Sequence, residues 1–156
     1  MIFIVDTSSF SVFRNYYPSA FPSFWEGINA LVEDGTIRSV KEVFNELQND
    51  NRVAFIQEWA SEHRGIFFTP TQAEIEAVKA ILAIPHFQAV IDKRSLLKGT
   101  PVADPFIVAS ARVNDAVVIT EESMRPNAAK IPNICDHFDV ECHNLEWLIE
   151  QQAWKF

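Results

Sequence analysis

The run Ile2-Phe3-Ile4-Val5 is short, wholly apolar and largely β-branched, and it stops on a carboxylate, Asp6. A continuous apolar run of this length fits a strand covered on both faces, as in the middle of a parallel sheet. The run ending in Val117-Val118-Ile119-Thr120 has the same character, and Glu121 and Glu122 follow it directly. Parallel strands end on one shared edge, and ligands of such sheets bind outside that edge. The two acidic exits therefore belong to one place if the strands are neighbours.

Helical patterns separate these runs. Phe21–Val32 carries apolar helical spacing after Pro22 and ends at Asp34-Gly35; Arg52–His63 ends at Gly65. Ser39-x-x-Glu42 and Thr71-x-x-Glu74 both read as capping boxes, opening helices that run to Leu47 and to Leu82 before Pro85. Ile66–Phe68 and Val140–Cys142 are brief strand candidates, Ile131–Phe138 a short helix, and Asn144 caps a last helix to Ala153. The order βα…αβαβα predicts one three-layer α/β/α domain, residues 1–156, around a small parallel sheet.

Composition narrows the function classes. With 48% hydrophobic and 22% charged residues among 156, the chain is globular. No apolar run approaches a membrane span, and the apolar start before Asp6 is too short for a secretory signal. Cys135 and Cys142 are the only cysteines, and their spacing matches no zinc pattern; a reducing, cytoplasmic setting is expected. A formal net charge of −8 argues against a sequence-reading DNA binder. It leaves room for a nuclease, whose acidic metal site contributes to the count while the metal restores positive charge for phosphate.

Four acids occupy apolar frames: Asp6 in IFIVDTSSF, Glu46 in VKEVFNEL, Asp104 in VADPFIVASA and Glu122 in VVITEES. A carboxylate buried in such surroundings must be paired, protonated or metal-bound, and few cations lie in these segments. Hard oxygen donors suit Mg2+ or Mn2+. Each acid has an ordinary explanation as well. Asp6 can accept from the backbone of Ser8 or Ser9, Asp104 can cap the helix that Pro105 opens, Glu46 can sit on a wet helix face, and Glu121-Glu122 can form an exposed turn. Glu42 is accounted for by its capping box. Only the set is persuasive.

The segments VDTSSF, VFNEL, ADPFIVASA and VITEE, in that order, resemble the pattern of PIN-domain ribonucleases, and KIPNICDHFDVECHNL resembles the fold's closing helix and strand. The resemblance covers nearly the whole chain and extends to small bacterial VapC-type toxins. It implies a PIN-like α/β/α fold with Asp6, Glu46, Asp104 and Glu122 as the catalytic and metal-site acids and Thr7 and Thr120 as supporting hydroxyls. Glu122 stands where the family usually has Asp, which leaves open whether Glu122 or Glu121 completes the site.

The resemblance further implies a Mg2+- or Mn2+-dependent endoribonuclease in which metal ions orient and acidify a water and neutralise the scissile phosphate. It also implies an antitoxin partner. Lys93, Arg94 and Lys98, in a basic stretch before Asp104, are candidate RNA contacts. The aromatics Phe10, Phe13, Tyr16, Tyr17, Phe21, Phe24 and Trp25 are candidates for core packing, for an interface with a partner or second protomer, or for stacking on bases. Two alternatives are a catalytically silent PIN-like protein-binding module and a phosphate-accepting α/β domain using Asp6. A dehalogenase-type phosphatase would need a second Asp where Ser8 stands, and a receiver would need paired acids and a late-strand Lys.

Overall fold

The computed structural model describes residues 1–91 and 102–156. Its described strands form one parallel sheet in the order β3-β2-β1-β4-β5, where β1 is Phe3–Val5, β2 Ile37–Val40, β3 Phe67–Phe68, β4 Val117–Ile119 and β5 Cys142–His143. Helices α1 (Thr7–Phe13), α2 (Pro22–Glu33), α3 (Lys41–Gln48), α4 (Ala54–Glu62), α5 (Gln72–Leu82), α6 (Asp104–Val113), α7 (Ile131–His137) and α8 (Leu145–Gln151) flank it. This is the PIN-like α/β/α architecture that the sequence predicts. No helix among the described residues is long and apolar enough to cross a membrane.

β1 is central because it is apolar on both faces: Phe3, Ile4 and Val5 are each at most 2% exposed. Val5 lies opposite Ile119 in the register of β1 and β4, so Asp6 and Thr120 leave the sheet side by side. Asp6 N donates to Ile119 O at 2.9 Å, carrying the ladder one step past the strand. The two acidic exits thus share an edge because their strands are adjacent.

Two elements differ from what the sequence pattern predicts. Helix α1 directly follows Asp6, and its polar face of Thr7, Ser8 and Ser11 hides a core face of Ser9, Phe10 and Phe13. Strand β2 occupies the place of the first predicted capping box. Ser39 lies in the strand and donates its hydroxyl to Val5 O at 2.6 Å, while Val40 is the residue before α3 and forms no side-chain cap. Glu42 is then a 7%-exposed carboxylate whose Oε2 has no partner among the described residues. Burial drives its pKa upward, and nearby Glu74 adds to the shift.

The second capping box forms as predicted: Thr71 Oγ1 accepts from Glu74 N at 3.2 Å, and the Glu74 carboxylate reaches back to Thr71. Asn144 caps α8 by accepting from Trp147 N at 3.0 Å. Asp104, by contrast, is no N-cap. Ala103 holds that position and Asp104 is the first helical residue, leaving its carboxylate available for other work.

The aromatic wealth near the N-terminus is chiefly core. Phe10, Phe13 and Phe24 are fully buried, and Phe13 packs edge-on against Phe24 and Trp25. Each such side chain contributes roughly 1.5–3 kcal/mol by leaving water. Tyr17 alone of the seven stands well out, at 62% exposed. Cys135 in α7 and Cys142 in β5 are both free thiols.

Candidate active site

The carboxyl edge of the sheet gathers its acids by three routes. Asp6 and Glu122 arrive from the ends of β1 and β4, Glu46 from the middle of α3, and Asp104 from the first turn of α6. Each position follows from local sequence. A strand must end where the chain turns into α1; α3 must bury Val43, Phe44 and Leu47, which sends Glu46 toward α1; and Pro105 fixes the start of α6 beside the edge.

Asp6 is 4% exposed and serves as N-cap of α1. Its Oδ2 accepts from Ser8 Oγ at 2.7 Å, from Thr120 Oγ1 at 3.0 Å and from Ser8 N at 3.4 Å. Two side-chain hydroxyls and one backbone N–H thus meet the same oxygen. Oδ2 is therefore clamped in orientation, and no side chain among the described residues donates to Oδ1. Desolvation raises the Asp6 pKa, and the hydroxyl and backbone donors pull against it.

Glu46 is held at both oxygens. Thr7 Oγ1 donates to Oε2, and Ala103 N donates to Oε1 at 3.2 Å. The carboxylate thus ties the start of α1 to the start of α6, just before Asp104. Burial raises its pKa, with further upward pressure from Asp6 and Glu122.

Asp104 is strongly perturbed. No described residue donates to its carboxylate, and its pKa is raised to about 8, by burial first and then by Asp6, Glu122 and Glu46. Lys130 works in the opposite sense. A carboxyl driven up by burial, and further by three like charges, marks a site short of positive charge.

Glu121 and Glu122 divide their roles. Glu121 Oε1 accepts from Ser9 Oγ at 3.0 Å and from Leu145 N at 2.8 Å, so it anchors α1 and the start of α8. Glu122 Oε2 accepts from Ile131 N at 2.8 Å, and its backbone N–H donates to Thr120 Oγ1 at 3.2 Å. Glu122 also lines, with Asp104 and Lys130, a cavity of about 330 Å³ completed by Ala89, Val90 and Ala129. Glu122 thus shares a cavity with another site acid, Asp104.

Thr7 and Thr120 each donate to an acid of the edge: Thr7 Oγ1 to Glu46, and Thr120 Oγ1 to Asp6. Ser8 and Lys130 are the additions. Ser8 Oγ lies between Asp6 and Thr120 and accepts from Glu121 N at 3.0 Å, joining both strand exits. Asp-x-Ser after a strand is a helix-capping signal that could have pointed to it, whereas Lys130 is a lone cation in a polar stretch with nothing to mark it. Lys93, Arg94 and Lys98 lie outside the described residues. None of the four histidines bonds to a site acid; His143, for example, stacks on Trp147 and meets Glu141 at 2.8 Å.

The donor set fits a hard divalent cation: carboxylates only, one oxygen of Asp6 and both of Asp104 without a described side-chain donor, and an electrostatic deficit at their centre. As the side chains lie, however, no three acids, histidines or cysteines among the described residues are close enough to hold one ion. The acids are gathered at one edge without closing on a common point.

Comparison with known proteins bears on the fold. The chain is similar to the crystal structure of VapBC2 from Rickettsia felis bound to a DNA fragment from their promoter, with a TM-score of 0.52 at 15% identity over 92% of this chain and 98% of that one. At that identity the likeness concerns the fold. No curated protein matches the sequence. Residues 3–156 match the family model described as Domain of unknown function (DUF4411), and the chain belongs to that family.

Proposed function

We propose that the protein is a metal-dependent endoribonuclease that hydrolyses RNA phosphodiesters at the carboxyl edge of its sheet. The observation that carries this reading is the state of Asp104, a carboxyl held near neutrality by burial and by Asp6, Glu122 and Glu46, with no hydrogen-bond donor among the described residues. Evolved cores do not keep such a cluster for stability, since repulsion and desolvation both count against it.

Asp6, Asp104 and Glu122 are the residues that would hold Mg2+ or Mn2+, with Glu46 supporting from α3. When bound, the ion supplies Lewis acidity toward phosphate and an acidified water at neutral pH. The chain's own contribution is positioning. Ser8 and Thr120 lock Asp6 through one oxygen and leave the other to point its lone pairs elsewhere. Thr7 and the Ala103 N–H fix Glu46 so that α1, α3 and α6 keep their mutual register when charge enters the cavity. Lys130, beside Asp104 and Glu122, offers a cation to a phosphate oxygen.

The resemblance to VapC-type toxins and the fold likeness to VapBC2 support a toxin's role with an antitoxin as protein partner, and the two free thiols are in keeping with a cytoplasmic setting. A second reading, a PIN-like module that binds protein without cleaving RNA, is favoured by the spacing of the acids, no three of which stand close enough to hold an ion.

Cleavage separates the two. Incubated with single-stranded RNA and Mn2+, the wild type should cut and EDTA should stop it, while Asp104→Asn should lose at least about 100-fold in rate, as expected when a group stabilising the transition state is removed. Asp104→Asn cutting at the wild-type rate would refute the assigned site. A wild type that never cuts would favour the silent module.

A further inference from the structure

Beside the acid cluster, on the same edge of the sheet, lies a second pocket of opposite character. It has a volume of about 240 Å³ and is lined by Lys41, Phe44, Arg64, Phe67 and Thr69. Lys41 is the first residue after β2 and Thr69 the first after β3, so both leave the sheet at the edge where Asp6 leaves β1. With strands about 4.8 Å apart, the pocket begins one strand from Asp6 and ends two strands away, within roughly 10 Å.

Its walls are built from different chemistries. Phe44 and Phe67 form an aromatic floor, each 9% exposed, with ring centroids 5.3 Å apart. The Arg64 guanidinium lies over the Phe44 ring at 4.9 Å, which holds its charge at the pocket while leaving its N–H groups free to donate. Lys41, Arg64 and Thr69 are exposed, and neither cation forms an ion pair among the described residues. In a chain with 13 Lys and Arg against 21 Asp and Glu, two such cations converging on one aromatic-floored pocket are a local reversal of sign.

We propose that this pocket binds a backbone phosphate of single-stranded RNA next to the one presented to the acids, with Arg64 and Lys41 on the phosphate oxygens and Thr69 Oγ1 donating to them. This rests on the nuclease reading and extends it: the substrate lies along the carboxyl edge, from Arg64 and Lys41 at β3 and β2, past Asp6, to Lys130 beyond β4. Lys41 and Lys130 then flank the negative centre, which keeps a polyanion from being repelled on approach. Phe44 and Phe67, each 9% exposed, serve as the floor that carries Arg64 and not as a stacking surface for a base.

The test measures binding apart from cleavage. A fluorescein-labelled single-stranded oligoribonucleotide is titrated with Asp104→Asn protein, and with the same protein carrying Lys41→Glu and Arg64→Glu, between about 50 and 200 mM salt. The charge reversals should weaken binding at least about tenfold and reduce the slope of log affinity against log salt by about 0.7 for each phosphate no longer neutralised. Glu at position 41 is compatible with a helix start, and Lys41→Ala with Arg64→Ala serves if the reversed protein does not fold. Equal affinity and equal slope in both proteins, with wild-type enzyme still cutting RNA, would overturn the pocket and leave the nuclease standing. Absence of binding by Asp104→Asn protein, together with absence of cleavage by wild type, would overturn both.

Discussion

Single residues carry most of the chemistry, and Asp104 shows how. Its pKa of about 8, against an ordinary 3.8, means that the folded state holds the proton more tightly than the unfolded chain does. The native state therefore binds more protons between those values, and metal-free stability falls as pH rises from about 4 to about 8. Thermal unfolding in EDTA across that window should show a declining midpoint for the wild type. Asp104→Asn, which has no charge to bury, should give a flatter profile and a higher midpoint near the alkaline end; a variant profile parallel to the wild type would mean that Asp104 is not strained. Asp6 and Asp104 were legible in the sequence because each interrupts an apolar frame. Ser8 and Lys130 were not, since their importance lies in what stands opposite them: Thr120 and Asp6 for one, Asp104 and Glu122 for the other.

At the scale of elements, the stretch from β2 to α3 is the most instructive. Ser39-x-x-Glu42 satisfies the capping-box pattern, yet the sheet claims Ser39, because its hydroxyl completes a bond to Val5 O and its backbone pairs with β3. Tertiary pairing outweighed a local preference of about 1 kcal/mol. Strand β2 was illegible because Arg38 and Ser39 break the apolar run in Ile37–Val40. Helix α1 was hidden by its serines. β1, β4 and the helices after Thr71, Asp104 and Asn144 were legible because pattern and local chemistry agree. The strand assignment changes what Glu42 should do when replaced. A capping role would make substitution costly, but a buried carboxylate with an unpartnered Oε2 makes Glu42→Met neutral or stabilising by up to about 2 kcal/mol, with cleavage retained. Glu121→Ala should behave oppositely, losing about 1.5–3 kcal/mol because Leu145 N and Ser9 Oγ lose a charged acceptor. Denaturant unfolding of the two variants side by side checks both signs; equal destabilisation would contradict the separate roles of Glu42 and Glu121.

Across the whole molecule, the parallel sheet does for charge what no single element could. Its topology brings β1 and β4 together, so two strand ends deliver acids to one edge, and α3 and α6 close over it with two more. A core of Phe, Ile and Val on both faces of that sheet supplies the stability against which this repulsion is set. If these carboxylates form the proposed metal centre, the fold should gain stability from a divalent cation. Such a gain is measurable independently of the proposed substrate and partner, by titrating Mn2+ while following the thermal unfolding midpoint of wild-type and Asp104→Asn protein at neutral pH. The wild-type midpoint should climb with concentration, corresponding to about 2.7 kcal/mol at 100 times the dissociation constant, and the variant should respond weakly. A wild-type midpoint indifferent to Mn2+, or an equal rise in both proteins, would contradict the assignment of these carboxylates as a metal centre.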